Sequence, residues 1–240
     1  MNKISQVDLE ILKEKYQGES LDIALNKINE GYPVQYLIGN VNFFGNTILV
    51  DENVLIPRYE TEFLVDLILK IIDKSFSGNI IDIGTGSGCI SITLAKKLPY
   101  SNVTGIDISK NAINVANNNK NLNNVDNVLF TNKDLFEISN FDGYEIIVSN
   151  PPYVSKNEQV GEETKYEPQN AIFAENDGLI FYEEIIKKVS ISKNIKHVFF
   201  EIGMNQSQSI SDFKDKYLPS YKIEIFKDLA NKDRYIHIFE

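Results

Sequence analysis

Ser149-Asn150-Pro151-Pro152-Tyr153 brings an amide side chain, a rigid carbonyl and an aromatic ring into five consecutive residues. The stretch follows a strand-like run, Tyr144 to Val148, and ends it abruptly. Consecutive prolines remove two backbone donors and fix two φ angles, and a residue before proline is held extended. An amide or aromatic NH2 is a poor nucleophile because its lone pair is delocalised. The Asn150 side-chain oxygen and the Pro151 carbonyl can each accept one N–H bond from such a group. That orients the nitrogen and concentrates electron density on it, while Tyr153 covers the flat face. The alternative is a structural turn after a strand.

A glycine turn, Asp82-Ile83-Gly84-Thr85-Gly86-Ser87-Gly88, lies upstream, Gly84 standing 66 positions before Asn150. It follows an apolar run and opens a helix-like one, so its backbone can approach a ligand closely. The final x-x-Gly of the dinucleotide fingerprint is missing, and no Gly-Lys-Ser/Thr follows. Asp107 ends the next apolar run, 23 residues after Gly84. That is about the separation at which an acid grips ribose hydroxyls in nucleoside-cofactor folds; the alternative role is a helix cap, since Ser109 and Lys110 follow at once. Asp82 suits an ammonium better than a pyrophosphate. Acids at 82 and 107, with no basic residue in the turn, favour S-adenosylmethionine over NAD. Methyl transfer to a planar nitrogen then proceeds by in-line displacement, with catalysis mainly from positioning.

The elements that must position these residues follow from periodicity. Residues 6–31 read as two short helices, the second capped by Ser20 and ended by Gly31 and Pro33. Gly45-Asn46 between two β-prone runs reads as a hairpin turn. A helix is expected from about Glu60 to Asp73, with Phe63, Leu64, Leu67, Ile68 and Ile71 as its buried stripe. From Asn79 onward strands alternate with helices: 79–83, 103–107, 127–131, 144–149 and 197–202 as strands, then a closing antiparallel pair at 221–226 and 235–239. That is seven strands in an α/β, mostly parallel, Rossmann-like sheet whose last strand is antiparallel. Residues 1–32 form a helical segment, 33–58 a hairpin linker and 59–240 the catalytic domain. Residues 154–176 are a long polar loop directly after the site, which suits a lid or substrate loop.

Bulk properties narrow the class. The chain has 240 residues, 42% of them hydrophobic, enough for a sizeable core. Net charge is −10, which supplies no general attraction to phosphate; no direct nucleic-acid or membrane partner is expected. One cysteine, Cys89, excludes an intrachain disulfide and reads as a small buried residue. His197 and His237 lie far apart, so no metal site is expected. The amino terminus lacks an apolar signal region, which with the single cysteine points to the cytoplasm; a monomer is expected.

Several stretches beyond the Asn-Pro-Pro-Tyr turn resemble the bacterial release factor glutamine methyltransferases, a family of class I S-adenosylmethionine-dependent methyltransferases. These are Pro33 to Gly39, Ile56 to Glu62 with its Ile-Pro-Arg start, Tyr166-Glu167-Pro168, Asp177-Gly178-Leu179, Glu201-Ile202-Gly203 and Lys227-Asp228-Leu229. The resemblance implies N5-methylation of the glutamine in the Gly-Gly-Gln loop of peptide chain release factors. It implies that Asn150, Pro151, Pro152 and Tyr153 hold the glutamine. Asp82 with Gly84, Thr85, Gly86, Ser87 and Gly88 would hold the methionine end of the cofactor, Asp107 its ribose, and Asp134-Leu135 its adenine, with Asn150 adjoining it. Arg58 and Glu62 would help roof the cofactor, or form an ordinary surface ion pair. The family usually carries a larger helical region ahead of Pro33, a proline where Tyr59 stands, and Gly-Gly where Lys193 to Lys196 run. An adenine-N6 methyltransferase for DNA or RNA uses the same turn and is the alternative.

Overall fold

The computed structural model describes residues 4–158 and 160–240. At the amino end, α1 (Gln6–Lys15) is capped by Ser5, whose hydroxyl accepts the Asp8 N–H. α2 (Glu19–Asn29) starts after Gly18; Ser20 lies inside its first turn rather than at its cap. α3 (Val34–Ile38) turns the Pro33–Gly39 stretch into a helix within the expected hairpin linker. Leu12, Ala24, Ile28 and Leu37 join these helices in a small apolar cluster of their own. Lys15 and the Tyr16 hydroxyl both donate to the Leu37 carbonyl, at 3.0 Å each, closing the exposed end of α3.

The hairpin β1 (Asn40–Phe43) and β2 (Asn46–Leu49) follows. Phe43 pairs with Asn46, so the turn is Phe44-Gly45, one residue earlier than expected. Both turn residues have positive φ, as the two-residue turn matching strand twist requires. Asn46 is drawn into the ladder because its side chain is buried, donating to Thr93 at 3.1 Å and accepting from Lys96 at 2.8 Å.

The main sheet is built from β3 (Asn79–Ile83), β4 (Asn102–Asp107), β5 (Val128–Asn132), β6 (Ile146–Ser149), β9 (His197–Glu201), β10 (Lys222–Lys227) and β11 (Asp233–Phe239). A separate two-residue pair, β7 (Val154–Ser155) and β8 (Phe173–Ala174), lies in the loop after the prolines. The helices are α4 (Tyr59–Ile71), α5 (Cys89–Lys97), α6 (Lys110–Leu122), α7 (Ile180–Ser190) and α8 (Ser207–Tyr217). Strand order is β10-β11-β9-β6-β3-β4-β5, and β11 runs antiparallel to both neighbours while the other pairs are parallel. The seven strands and the antiparallel last one match the sequence reading.

Strand alternation divides the core. Ile80 and Ile146 face α4, α5 and α6, packing with Leu64, Ile68, Ile92 and Ala116. Ile81 and Ile147 face α7 and α8, packing with Tyr182, Ile186 and Ile210. A sheet covered on both faces needs apolar residues at successive positions, which is why its central strands read as continuous apolar runs. The chain leaves β3 toward β4 and β5, then returns to β6 on the other side of β3. This reversal of direction opens a crevice at the carboxyl ends of β6, β3 and β4, where ligands of open α/β sheets bind.

Candidate active site

Register explains how residues distant in sequence meet. Ile83, just before Gly84, is paired with Ser149, just before Asn150, and with Ile106, just before Asp107. The Ser149 hydroxyl donates to the Ile83 carbonyl at 2.7 Å, and the Gly84 and Thr85 N–H groups donate to the Ile106 carbonyl at 2.9 Å. Three strand ends are thereby locked side by side, presenting the glycine turn, an acid and the proline turn to one crevice.

That crevice is a cavity of about 660 Å³ lined by Gly84, Gly86, Asp107, Asp134, Leu135, Asn150, Pro151 and Pro152, all anticipated site residues. Its size and largely apolar wall suit a nucleoside ligand. A side chain on Gly84 or Gly86 would project into open space, and both residues have positive φ. The backbone therefore forms a cradle that a side chain would occupy. The Asp107 carboxylate accepts the Gly86 N–H at 2.9 Å and the Ser109 N–H at 2.8 Å. It ties the turn to the strand end and keeps acceptor capacity facing the cavity. Burial raises its pKa, while those backbone bonds oppose the rise. Ser109, not Asp107, caps α6, its hydroxyl accepting the Ala112 N–H. Asp134 caps a short turn at Leu135–Glu137, beside the cavity.

Asp82, Thr85, Ser87 and Gly88 do not line the cavity. Asp82 is completely buried behind the turn, where one oxygen accepts the hydroxyls of Thr85 and Ser91, both at 2.7 Å. It braces the glycine turn from behind, outside the residues that line the cavity. Its other oxygen, Oδ1, has no hydrogen-bond partner among the described residues. Burial lifts its pKa to about 6, partly offset by the bonds from Ser91 and Thr85. An unpaired buried carboxylate oxygen suits an approaching cation, so these residues fit a cofactor carrying an ammonium. Cys89 is buried, its thiol pushed up to about 12 by burial.

A second, smaller pocket of about 130 Å³ adjoins the first, and Asn150 and Pro151 line both. Leu55 also lines both, whereas Tyr153, Arg58 and Glu201 line the small pocket alone. The Asn150 amide donates to the Thr61 hydroxyl at 3.1 Å, leaving its oxygen uncommitted.

The flanking motifs converge on this junction. Ile56 N–H donates to Glu167 at 3.0 Å, and Arg58 pairs with the same carboxylate, which is fully buried. The Ile-Pro-Arg and Tyr-Glu-Pro stretches are thus one structure, tying the approach segment to the loop at 160–176. Arg58 and Glu62 do not pair with each other; Glu62 instead accepts the Phe44 N–H at 2.9 Å and holds the hairpin. Gln206, at the start of α8, donates to the Tyr153 carbonyl at 2.9 Å and accepts the Gly203 N–H at 2.9 Å. Gly178 makes room for this: a Cβ there would sit 2.0 Å from the Tyr153 carbonyl oxygen, and its φ is +80°. Gly178→Ala should lower unfolding free energy by about 2 kcal/mol or more, from left-handed strain plus a backbone clash. Gly45→Ala, also at positive φ but with nothing within 4 Å, should lose clearly less in the same urea titration. Equal losses would contradict the packing argument.

Sequence reasoning assigned no role to Thr61, Gln206 or Glu201, although an acid ending the apolar run Val198 to Phe200 is the same signal that singled out Asp107. It also missed Lys133 and Lys156 in the cavity wall; Lys156 is paired with Glu175 at 3.2 Å. Among the described residues no cluster of three or more His, Cys, Asp or Glu could hold a metal. His197 and His237 do meet, 2.9 Å apart between ring nitrogens, stacked on the sheet away from the site.

Comparison with known proteins bears on this arrangement. Residues 60–175 match the Methyltransferase small domain family. Release factor glutamine methyltransferases from Streptococcus pneumoniae and Flavobacterium psychrophilum are 40% and 37% identical, covering 85% and 99% of this chain and 74% and 87% of theirs. The chain belongs to the release factor glutamine methyltransferase family. Membership makes it an S-adenosylmethionine-dependent methyltransferase. The Fusobacterium nucleatum member is 40% identical over 94% of this chain, which spans 65% of that relative's length. Among solved structures, the hMettl16 catalytic domain in complex with MAT2A 3'UTR hairpin 1 superposes with a TM-score of 0.61 at 15% identity, covering 97% of this chain and 91% of that one. Ribosomal protein L11 methylase from Lactobacillus delbrueckii subsp. bulgaricus gives 0.53 at 20% identity, covering 80% and 83%. These likenesses establish the class I methyltransferase fold. No described helix is long and apolar enough to cross a membrane.

Proposed function

We propose that this chain methylates the side-chain amide nitrogen, N5, of the glutamine in the Gly-Gly-Gln loop of peptide chain release factors. The observation that carries the reading is the shared wall: Asn150 and Pro151 line both the cofactor-sized cavity and the small pocket beside it. A slender side chain in the small pocket would place its terminal nitrogen at this junction. The Asn150 oxygen and the Pro151 carbonyl would accept its two N–H bonds, and Tyr153 would pack against its plane. When bound, S-adenosylmethionine supplies an electrophilic methyl group on a sulfonium, which is released as a neutral thioether. The nitrogen gains that methyl and loses one proton.

The protein's part is orientation and exclusion of water, which suits a reaction whose nucleophile needs aiming more than deprotonation. The backbone around the junction is held by the paired strand ends, by Gln206 and by Glu167, so the clamp is preorganised. Gly84, Gly86 and Asp107 would cradle the nucleoside, with Asp134 and Leu135 at the base. Arg58 serves the loop rather than the cofactor.

Net charge of −10 favours a protein substrate over a phosphate backbone, and a monomer acting on a release factor is the simplest assembly. Incubation with methyl-labelled cofactor and either release factor or DNA tests this: label should enter the release factor. Label entering DNA adenine instead would support the rival reading.

A further inference from the structure

Behind Asn150 lies a short polar chain that the clamp does not require in its simplest form. Glu201 ends β9 and is 1% exposed; Thr61, in the first turn of α4, is 3% exposed. The Thr61 hydroxyl donates to Glu201 Oε2 at 2.8 Å and accepts from Asn150 Nδ2 at 3.1 Å. A hydroxyl has a single proton. Once it is given to Glu201, Thr61 can only accept toward Asn150. Asn150 must then turn its NH2 to Thr61 and its oxygen away.

We propose that Glu201, acting through Thr61, fixes which end of the Asn150 amide faces the acceptor nitrogen. This rests on the reading of Asn150 as an amide clamp. A carboxylate accepts only, so the direction of every bond in the chain is determined. A protonated Glu201 can donate to Thr61 instead. Thr61 is then free to donate to the Asn150 oxygen, the amide turns over, and an N–H meets the substrate N–H. Glu201 is a positioning residue: it lines the small pocket, and its effect on the acceptor nitrogen passes through Thr61 and Asn150.

Its surroundings place the ionisation within an accessible range. Burial raises the Glu201 carboxyl to about 7, while Thr61, Arg234 of β11 and Asn150 pull it down and Glu60 of α4 pushes it up. Arg58 lines the same pocket. Tyr182 of α7 donates to the Glu201 backbone carbonyl at 2.8 Å. Tyr153, Tyr182 and Tyr235 stay neutral because burial pushes their hydroxyls up. Since the ionised form orients the clamp, turnover should rise with pH through about 7.

The experiment uses the full chain saturated with S-adenosylmethionine. With a release factor as substrate, kcat should climb through a midpoint near 7 in the unmodified protein. Glu201→Gln should remove that limb and lower kcat about tenfold at higher pH, the scale of one misdirected hydrogen bond, with the cofactor KM moving less than about twofold. Thr61→Val should behave alike, and Thr61→Ser should restore the limb. Independently of any substrate, the Asn150 side-chain amide, followed by nitrogen-15 NMR, should titrate with the same midpoint and become silent in Thr61→Val. If Glu201→Gln fails to fold, the two Thr61 variants decide by the same readouts. An unchanged pH limb in the variants, or an Asn150 amide that ignores pH, overturns the relay. An amide that titrates in a protein that methylates no release factor upholds the relay and overturns the functional reading.

Discussion

Asn150→Ala leaves S-adenosylmethionine affinity within about threefold and lowers kcat by about a hundredfold to a thousandfold, the cost of removing one preorganised group aimed at the reacting atom. The separation of effects follows from the geometry. Asn150 touches the cofactor cavity along one edge, whereas Gly84, Gly86 and Asp107 form its cradle independently. Ser149 keeps its bond to the Ile83 carbonyl, so the strand ends stay locked. Thr61 keeps Glu201 as its acceptor, so no buried carboxylate is left without its hydroxyl. What disappears is one of the two acceptors at the junction and the aim of the nucleophile. Calorimetric cofactor binding beside single-turnover methyl transfer checks both halves. A parallel loss of binding and turnover would mean that Asn150 is mainly part of the cofactor wall.

Asp107→Ala gives the opposite pattern. Its carboxylate accepts two backbone N–H bonds, from Gly86 and Ser109, while lining the cavity. Removing it takes away the acceptor facing the ligand and releases Gly86 from the strand end. Charge-assisted hydrogen bonds contribute about 1.5–3 kcal/mol each, so cofactor affinity should fall by about a hundredfold. The fold should survive, because α6 keeps its own cap at Ser109. At saturating cofactor, kcat should recover to within a few fold. Loss of the folded state at ordinary temperature, or cofactor affinity unchanged by the substitution, would contradict the ribose-gripping role.

These two residues show which parts of the site were legible in the sequence. Both stand at ends of apolar strands, and both break the strand pattern with a polar group where the chain must leave the sheet. Parallel register then puts strand ends side by side, so residues 66 positions apart are neighbours without any local signal of contact. The same logic gave the seven strands and the antiparallel edge. It did not show that Asp82, at the same strand-end position, braces the turn from beneath through Thr85 and Ser91. Which face a side chain takes near a strand end depends on packing against the following helix, and Ser91 reads as an ordinary helix residue. The hairpin turn slipped by one residue for a similar reason, since the buried contacts of Asn46 with α5 outweigh its local turn preference.

The least legible features are the long-range side-chain pairs. Thr61 and Glu201 are 140 residues apart, and Arg58 and Glu167 are 109 apart. Each member reads locally as a helix-start, strand-end or loop residue, and only the assembled sheet brings them together. Glu167 and Gly178 were visible as motif residues without a role. The structure assigns each one: a buried acceptor that ties the loop to Ile56 and Arg58, and a vacancy for the Tyr153 carbonyl.

The most direct test of glutamine methylation is the mass of the Gly-Gly-Gln peptide cut from a release factor treated with this protein and S-adenosylmethionine. The expected peptide is heavier by one methylene, with fragmentation placing the methyl on the glutamine side chain, and it should form at least about a hundredfold more slowly when Asn150→Ala replaces the unmodified chain. A peptide of unaltered mass, from a release factor incubated with protein shown to bind the cofactor, would contradict it.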